Sequence, residues 1–300
     1  MMWAGSLFAG IGGLDLGLER AGLCRSRWFV ENDKHASRIL ARHFPGKTNH
    51  RDVTTVDWQT LPPVDVLHGG FPCQDISEAG LGAGIREGKR SGLWADFAAA
   101  IDTLRPRLVI VENVSALLGR GIDVVLGDLA SMGFDAEWAS VRASDVGAAH
   151  SRERIFIVAV APHARREGPQ GSRERTPGRP DSAVGDPAAF PWDRYEPAVR
   201  RWGDVVGRPA PSPVDHKGRM SVPFAEWHMG FPAGWTDGVS RTQALKALGN
   251  AVVPQVAELV GRWAGRMLRG IAPGCPYCAP DENCPDHVLL PTAVARSVPA

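Results

Sequence analysis

Short apolar segments alternate with amphipathic ones along the first 160 residues. Val64–His68, Leu108–Val111 and Ile155–Ala161 are rich in valine, isoleucine and leucine, which is typical of strands buried on both faces of a parallel sheet. Strands that alternate with helices predict a doubly wound α/β fold with a mostly parallel sheet. We expect further strands at the short apolar run Trp3–Leu7 and at Arg27–Glu31. We expect helices from Leu14 to Gly22, over Lys34–His43 behind the cap Asn32-Asp33, and around Ala244–Leu248 and Val256–Leu268.

The composition changes at Pro162. Residues 163–186 are rich in arginine, glycine, proline and serine and show little periodicity, so they read as a loop. Helical patterning returns near residue 244 and ends near residue 270. We therefore expect a main domain of residues 1–161 and 244–270, a small irregular domain of residues 162–243, and a cysteine-rich tail of residues 271–300.

Composition and charge exclude several classes of protein. The chain of 300 residues is 44% hydrophobic and 22% charged, with a net charge of +1, as in ordinary globular proteins. Its longest apolar run, Ile155–Ala161, is far shorter than the roughly 18 residues of a membrane span, and Met1–Ala21 lacks the basic start of a signal peptide. Five cysteines, three of them crowded in the tail, argue against a disulfide framework. We expect a soluble, cytoplasmic protein without a membrane partner.

The distribution of charge permits a nucleic-acid partner without requiring one. Residues 162–220 carry a net charge of +3, and 29 of the 34 basic residues are arginines. Arginine suits bidentate contacts to phosphate and to guanine edges. A GC-rich genome would produce the same bias.

A glycine turn, Phe8-Ala9-Gly10-Ile11-Gly12-Gly13, directly follows the first predicted strand. Glycines at this place let the backbone approach a ligand and free N–H groups at a helix N-terminus. A nucleotide site also needs an acid at the end of the next strand to hold ribose hydroxyls, and Glu31 stands there. The glycine turn and Glu31 together indicate a nucleotide-like cofactor, whereas the turn alone would be equally typical of a turn without a ligand.

Cys73 lies in Gly69-Gly70-Phe71-Pro72-Cys73-Gln74, just beyond the predicted strand Val64–His68. Loops at the carboxyl ends of such strands hold the ligands of α/β sheets. A thiolate there acts as a nucleophile if nearby dipoles or charges lower its pKa. The alternative is a buried cysteine that serves as a small apolar side chain.

Charged side chains border two later strands. Glu112 follows Leu108–Val111, and a carboxyl group buried at the sheet edge can retain a proton to share with a base nitrogen. Arg152 and Arg154 precede Ile155–Ala161 and share one face of an extended segment, which suits an anionic or carbonyl-bearing ligand. A helix-capping acid and a solvated charged turn are the respective alternatives.

Together these segments resemble the C5-cytosine DNA methyltransferases, which use S-adenosylmethionine. The resemblance includes Gly249-Asn250-Ala251-Val252-Val253-Pro254 and the segment Trp227–Trp235, and all segments stand in the family's order. It implies a Rossmann-like catalytic domain, formed by the main domain, and a target-recognition domain over residues 162–243. It implies that Cys73 adds to C6 of a flipped-out cytosine, that Glu112 holds the N3 and amino edge, and that Arg154, supported by Arg152, reaches O2.

The resemblance also implies the cofactor contacts. Glu31 would bind the ribose of S-adenosylmethionine, and Asp52 would bind the adenine amino group. The remaining expected contacts are made by Phe8, Gly10, Gly12, Gly13, Pro72, Asn250 and Val252.

Three features depart from the family pattern. His150 stands where the family usually has glutamine, residues 162–220 are short for a recognition region, and the cysteine-rich tail is extra. The interpretation is a monomeric enzyme acting on double-stranded DNA, of bacterial or phage origin, with a restriction-modification or anti-restriction role and a functionally linked endonuclease. Two alternatives are a tRNA cytosine C5 methyltransferase and a catalytically inactive DNA-binding relative.

The tail carries a candidate metal site. Cys275, Cys278, Cys284 and His287 form a Cys-x2-Cys and a Cys-x2-His pair, a ligand set that tetrahedral zinc accepts. The five-residue gap between the pairs is shorter than in common zinc modules, so the site would be a tight knuckle with a structural role. A plain tail with incidental cysteines is the alternative.

Overall fold

The computed structural model describes residues 1–72, 92–162, 190–270 and 295–296. The strands are β1 (Met2–Leu7), β2 (Cys24–Val30), β3 (Thr48–Asn49), β4 (Val66–Gly69), β5 (Leu108–Asn113), β6 (Asp135–Arg142), β7 (Glu153–Val160) and β8 (Ala295–Arg296). The helices are α1 (Gly13–Arg20), α2 (Lys34–His43), α3 (Gly92–Leu104), α4 (Leu117–Arg120), α5 (Ile122–Ser131), α6 (Glu196–Val206), α7 (Val222–His228), α8 (Arg241–Asn250) and α9 (Pro254–Leu268).

Eight strands in the described part of the chain form one sheet in the order β3-β2-β1-β4-β5-β7-β6-β8. The pairs from β3 through β5 are parallel, whereas β7 pairs antiparallel with both β5 and β6. Consecutive residues are buried in β4, β5 and β7, so both faces of the sheet are covered. This confirms the predicted doubly wound α/β fold.

The direction of β7 corrects one expectation. Its apolar run was expected to suit a parallel sheet, and its residues are indeed buried, but the strand runs against β5. β6 is followed by a short connection without a crossover helix, so the chain can only return antiparallel beside it.

Two helix contacts stabilise the start of the chain. Asp15 of α1 accepts hydrogen bonds from the hydroxyls of Ser6 in β1 and Ser26 in β2, each at 3.0 Å and buried. On another face of α1, Gly17 and Leu18 meet α9 at Ala257 and Gly261. The helix that follows the glycine turn is therefore held both by the sheet and by α9.

The segment after residue 190 shares the core of the main domain. Trp227, Phe231 and Trp235 belong to the same buried cluster as the strands. Helix α8 begins at Arg241, so the boundary expected at residue 243 falls inside a helix.

Candidate active site

The register of the central strands brings four sequence-predicted segments to one edge of the sheet. Leu7 pairs with Val30 on one side and with Gly69 on the other, and Gly69 pairs with Val111. The next residues in sequence after Leu7, Val30, Gly69 and Val111 are Phe8, Glu31, Gly70 and Glu112, so these four residues lie at the same edge of the sheet. Chain order reverses between β1 and β4, and such switch points are where α/β sheets bind ligands.

The glycine turn and Glu31 hold each other. One carboxylate oxygen of Glu31 accepts the N–H of Gly10 at 2.7 Å, and the other accepts the N–H of Asp33 at 2.7 Å. Burial raises the pKa of the Glu31 carboxyl, and the two backbone hydrogen bonds oppose that rise. The spare lone pairs of this anchored carboxylate can accept hydrogen bonds from ribose hydroxyls.

Most of the residues that were predicted to act in catalysis or to bind the cofactor line a single cavity of about 1070 Å³. This volume is large enough for a nucleoside-containing cofactor beside a base. Among the described residues, the predicted members of its lining are Phe8, Gly10, Glu31, Asp52, Pro72, Glu112, Arg154 and Asn250. Cys73, which follows Pro72, lies outside the described residues.

Three of the residues expected to bind the cofactor lie behind that lining. A Cβ atom at Gly12 would come within 2.6 Å of the ring of Phe44, and one at Gly13 would overlap the carbonyl oxygen of Val252. The structure therefore explains Gly12 by packing against Phe44 and Gly13 by packing against the main chain of Val252, and none of the three residues lines the cavity.

Asp52 reaches the cavity with one carboxylate oxygen committed. Its Oδ1 accepts hydrogen bonds from the N–H of Thr54 at 3.1 Å and from the Thr54 hydroxyl at 2.8 Å. These contacts begin a short 3-10 turn at Val53 and fix the orientation of the carboxylate. The other oxygen can accept a hydrogen bond from an amino group.

Glu112 and Arg154 form an ion pair at the other end of the cavity. Arg154 Nε lies 3.0 Å from Glu112 Oε1, and the Glu112 side chain is only 12% exposed. Burial raises the pKa of the Glu112 carboxyl, while the charges of Arg154 and Arg152 oppose that rise. Gly70 permits this position, because a Cβ there would overlap Glu112 Oε2.

Arg152 lies close enough to act on the same carboxylate. Burial is the larger cause, and repulsion from Arg154 the smaller one, of a lowered pKa of about 10 for the Arg152 guanidinium. The charge of Glu112 opposes that shift. In the described part of the chain, its buried Nε and Nη2 atoms have no hydrogen-bond partner. The guanidinium therefore offers unused donors beside the ion pair, as expected for a group that awaits an anionic or carbonyl ligand.

Two positioning residues were missed by the sequence analysis: Asn113, next to Glu112, and Trp235, in the quoted segment Trp227–Trp235. Asn113 donates from Nδ2 to the carbonyl of Phe71 at 3.1 Å and fixes the start of the loop that leads to Cys73. Trp235 donates from its buried Nε1 to the carbonyl of Ile11 at 2.9 Å, and its ring stacks on His43 at 3.6 Å. Aromatic character at position 235 was the only local signal of this contact.

Comparison with known proteins shows which family this chain belongs to. The model of the family "C-5 cytosine-specific DNA methylase" matches residues 2–184. The chain is 33% identical over 310 residues to the type II methyltransferase M.NlaX of Neisseria lactamica, covering 89% of this chain and 97% of that protein. It is 34% identical over 163 residues to M.Bsp6I of Bacillus sp. strain RFL6, where it spans about half of the relative's length, 52%. The chain belongs to the C-5 cytosine-specific DNA methylase family.

Solved structures agree with this fold. A DNA modification methyltransferase encoded within an E. coli prophage aligns with a TM-score of 0.61 at 20% identity, covering 90% of this chain and 99% of that one. The Dnmt2 methyltransferase of S. pombe aligns with a TM-score of 0.61 at 14% identity, covering 87% and 98%. At these identities the likeness concerns the fold alone.

Family membership confirms the class that the sequence predicted, a DNA cytosine-5 methyltransferase with S-adenosylmethionine as methyl donor. In the described ranges, no helix has the length and apolarity needed to cross a membrane. Within those same ranges, no three His, Cys, Asp or Glu side chains are grouped to hold a metal. The predicted zinc ligands Cys275, Cys278, Cys284 and His287 lie outside them.

Proposed function

We propose that this chain methylates C5 of a cytosine within a specific double-stranded DNA sequence through a covalent intermediate on Cys73. One observation carries the proposal. A carboxylate suited to ribose, Glu31, and an ion pair suited to a base, Glu112 with Arg154, open into the same cavity, which Pro72 also lines. Cys73 is the next residue after Pro72.

S-adenosylmethionine fits the donors and acceptors at one end of this cavity. Glu31 would hold the ribose, the free oxygen of Asp52 would accept the adenine amino group, and Phe8 and Gly10 would border the remaining part. When bound, the cofactor supplies an electrophilic methyl group on sulfur. Its placement next to Glu112 agrees with a reaction between the cofactor and a base.

The other end supplies the groups that act on cytosine. The Cys73 thiolate adds to C6 and forms an S–C6 bond, which makes C5 nucleophilic. Burial raises the pKa of the Glu112 carboxyl, and a proton on this carboxyl is donated to N3 as negative charge develops in the ring. Arg154 binds O2. After C5 is methylated, a base removes the C5 proton, and the S–C6 bond breaks to release the thiolate.

Cytosine C5 and C6 cannot be reached in this way inside a duplex, so the target base must leave the stack, at a cost of a few kcal/mol. We assign DNA binding and sequence choice to residues 162–243. In the described part of that region, Phe190, Tyr195 and Met220 are exposed, and the Arg194 guanidinium stacks 5.0 Å above the Tyr195 ring. Exposed aromatic and arginine side chains suit contact with bases and phosphates.

The biological setting follows from the relatives, several of which are named type II methyltransferases. We propose that the chain acts as a monomer in a bacterial or phage-infected cytoplasm and protects DNA from a functionally linked endonuclease.

A covalent trap tests the proposed chemistry. Wild-type protein with S-adenosylmethionine should form a denaturation-stable adduct with duplex DNA that carries 5-fluorocytosine in the methylated motif, because fluorine blocks the final elimination. Cys73→Ser should form none, yet should bind the cofactor with nearly unchanged affinity, since a hydroxyl is a far weaker nucleophile.

Two outcomes would overturn the proposal. An adduct on tRNA and not on DNA would favour a tRNA cytosine C5 methyltransferase. DNA binding without any adduct or methylation would favour a catalytically inactive relative.

We keep the zinc knuckle of the tail as a separate prediction from its ligand spacing. Zinc measured in protein purified without chelator should approach one ion per chain and should be lost when the chain is truncated after Gly270. Equal zinc in both forms, or less than about half an ion per chain in the full form, would leave the tail without a metal site.

A further inference from the structure

His150 bridges a recognition-side helix and the arginine segment of the active site. Its Nε2 lies 2.9 Å from the carbonyl oxygen of His228, at the C-terminal end of α7. Its Nδ1 lies 3.3 Å from the backbone nitrogen of Arg152. The ring therefore connects a helix that contains Trp227 to the residue beside the Glu112–Arg154 pair.

The two partners determine the protonation state of the ring. The Arg152 N–H can only donate, so Nδ1 must accept and carry no proton. The His228 carbonyl can only accept, so Nε2 must carry the proton. This is one of the two neutral tautomers. In a protonated ring both nitrogens donate, and Nδ1–H would then face the Arg152 N–H.

We propose that His150 is a positioning residue, whose neutral Nε2–H tautomer holds the Arg152 segment against α7 and so keeps Arg152 and Arg154 in place around Glu112. Protonation of His150 breaks this bridge and lowers methyl transfer on the acid side. The inference rests on the proposed function for its kinetic consequence, but the tautomer itself does not.

The surroundings of His150 favour the neutral form. The ring of His228 on α7 lies 4.3 Å away, and Arg152 contributes a positive charge from His150's own segment. Glu112 of β5 interacts with Arg152. Burial lowers the pKa of His150, the His228 carbonyl opposes that shift, and Arg152 lowers the pKa further. The bridge is therefore intact at neutral pH and is lost as the pH falls below the usual histidine range.

Replacing His150 with a side chain that does not ionise separates the hydrogen bonds of His150 from its protonation. In His150→Gln, the side-chain oxygen can accept from the Arg152 N–H and the amide can donate to the His228 carbonyl, without any ionisation. At neutral pH we expect its kcat within about threefold of wild type, whereas His150→Ala, which has neither group, should lose roughly 10- to 100-fold in kcat with little change in the KM for S-adenosylmethionine.

The decisive measurement is the ratio of wild-type kcat to His150→Gln kcat as the pH is lowered. Groups common to both proteins, such as Cys73 and Glu112, cancel in this ratio. We expect a constant ratio near neutral pH and then a fall of roughly tenfold per pH unit. A ratio that stays flat across the acid range would overturn the proposal.

His228→Phe is the matched control. It keeps the backbone carbonyl that receives the His150 hydrogen bond and an aromatic ring beside Phe224, but it removes the second imidazole. Its acid limb should follow wild type. If His228→Phe loses the acid limb in the way predicted for His150→Gln, then His228 is the titrating group and our assignment to His150 is wrong.

A spectroscopic measurement on the full chain does not depend on activity. Nitrogen-15 NMR of histidine-labelled protein, assigned by comparison with His150→Gln, should show a His150 ring protonated at Nε2 and unprotonated at Nδ1 at neutral pH. The opposite tautomer would overturn the proposal. If wild-type protein methylated no substrate, the proposed function would fail, while this measurement would still decide the tautomer.

Discussion

The two ends of the cavity hold their carboxylates in different ways. Glu31, at the end where we propose that the cofactor binds, accepts hydrogen bonds from two main-chain N–H groups, each at 2.7 Å. Glu112, at the end where we propose that the base binds, pairs with the side chain of Arg154 at 3.0 Å, and the charge of Arg152 also acts on it. Burial raises the pKa of both carboxyls.

The difference indicates what each end does during a reaction cycle. Main-chain donors in the glycine turn and before α2 cannot leave Glu31 without local unfolding. Guanidinium groups on long side chains can exchange Glu112 for an entering base. Under the proposed function, the Glu31 end is suited to a cofactor held in one place, and the Glu112 end is suited to a base that enters, reacts and leaves.

The largest effect should come from Glu112→Gln. The amide retains the shape of the side chain but has no proton to transfer to N3, so we expect kcat to fall by roughly 10²- to 10⁴-fold. The Kd for S-adenosylmethionine, measured by calorimetry, should change little. Glu153→Gln is the control, because Glu153 lies on β7, the strand next to β5, and its side chain lies 3.8 Å from Arg142 and does not line the cavity. A large loss of cofactor affinity in Glu112→Gln would contradict the division between the two ends.

A smaller effect, confined to binding, should follow Glu31→Ala. Two main-chain N–H groups lose their acceptor and the ribose loses its partner, so the Kd for S-adenosylmethionine should rise by about 10- to 100-fold. At saturating cofactor, kcat should recover most of its wild-type value. In the control Glu19→Ala, the N–H of Ser26 loses a comparable acceptor at 2.9 Å, but away from the cavity. Equal changes in cofactor Kd for both variants would show that Glu31 acts only on stability.

The smallest effect should come from Trp235→Phe. An aromatic ring is kept, but the carbonyl of Ile11 loses its hydrogen-bond donor. This loss should lower the free energy of unfolding by about 1–3 kcal/mol and raise the cofactor Kd by less than about tenfold. Trp28→Phe removes a comparable hydrogen bond, to the Pro62 carbonyl at 2.9 Å, and should affect stability alone. Calorimetry and chemical denaturation of both variants distinguish support of the turn from general stabilisation.

Local features of the sequence predicted the structure most closely. Helix α2 occupies Lys34–His43, as predicted, and the Asp33 side chain caps it by accepting from the N–H groups of His35 and Ala36. The placement of Glu31 and Glu112 at one edge also followed from the sequence, because each directly follows residues that pair in the parallel part of the sheet, Val30 with Leu7 and Val111 with Gly69.

Features that depend on distant partners could not be predicted. Burial of β7 indicates that both faces are covered, which is equally true of parallel and antiparallel strands. Glycine at positions 12 and 13 indicates that there is no room for a side chain. The residues that occupy this space, Phe44 and the main chain of Val252, are distant in sequence. No local pattern identifies the Ile11 carbonyl as the acceptor for Trp235.

The contact between α1 and α9 joins two segments that are made at different times during protein synthesis. The glycine turn and α1 are made early, but Gly17 and Leu18 meet residues of Pro254–Leu268, which are translated much later. Until that segment has left the ribosome, the side of α1 that meets α9 faces water, and the turn lacks the packing that holds it. We therefore expect a product that terminates before α9 to lack methyl-transfer activity even though it contains Cys73, Glu112 and Arg154.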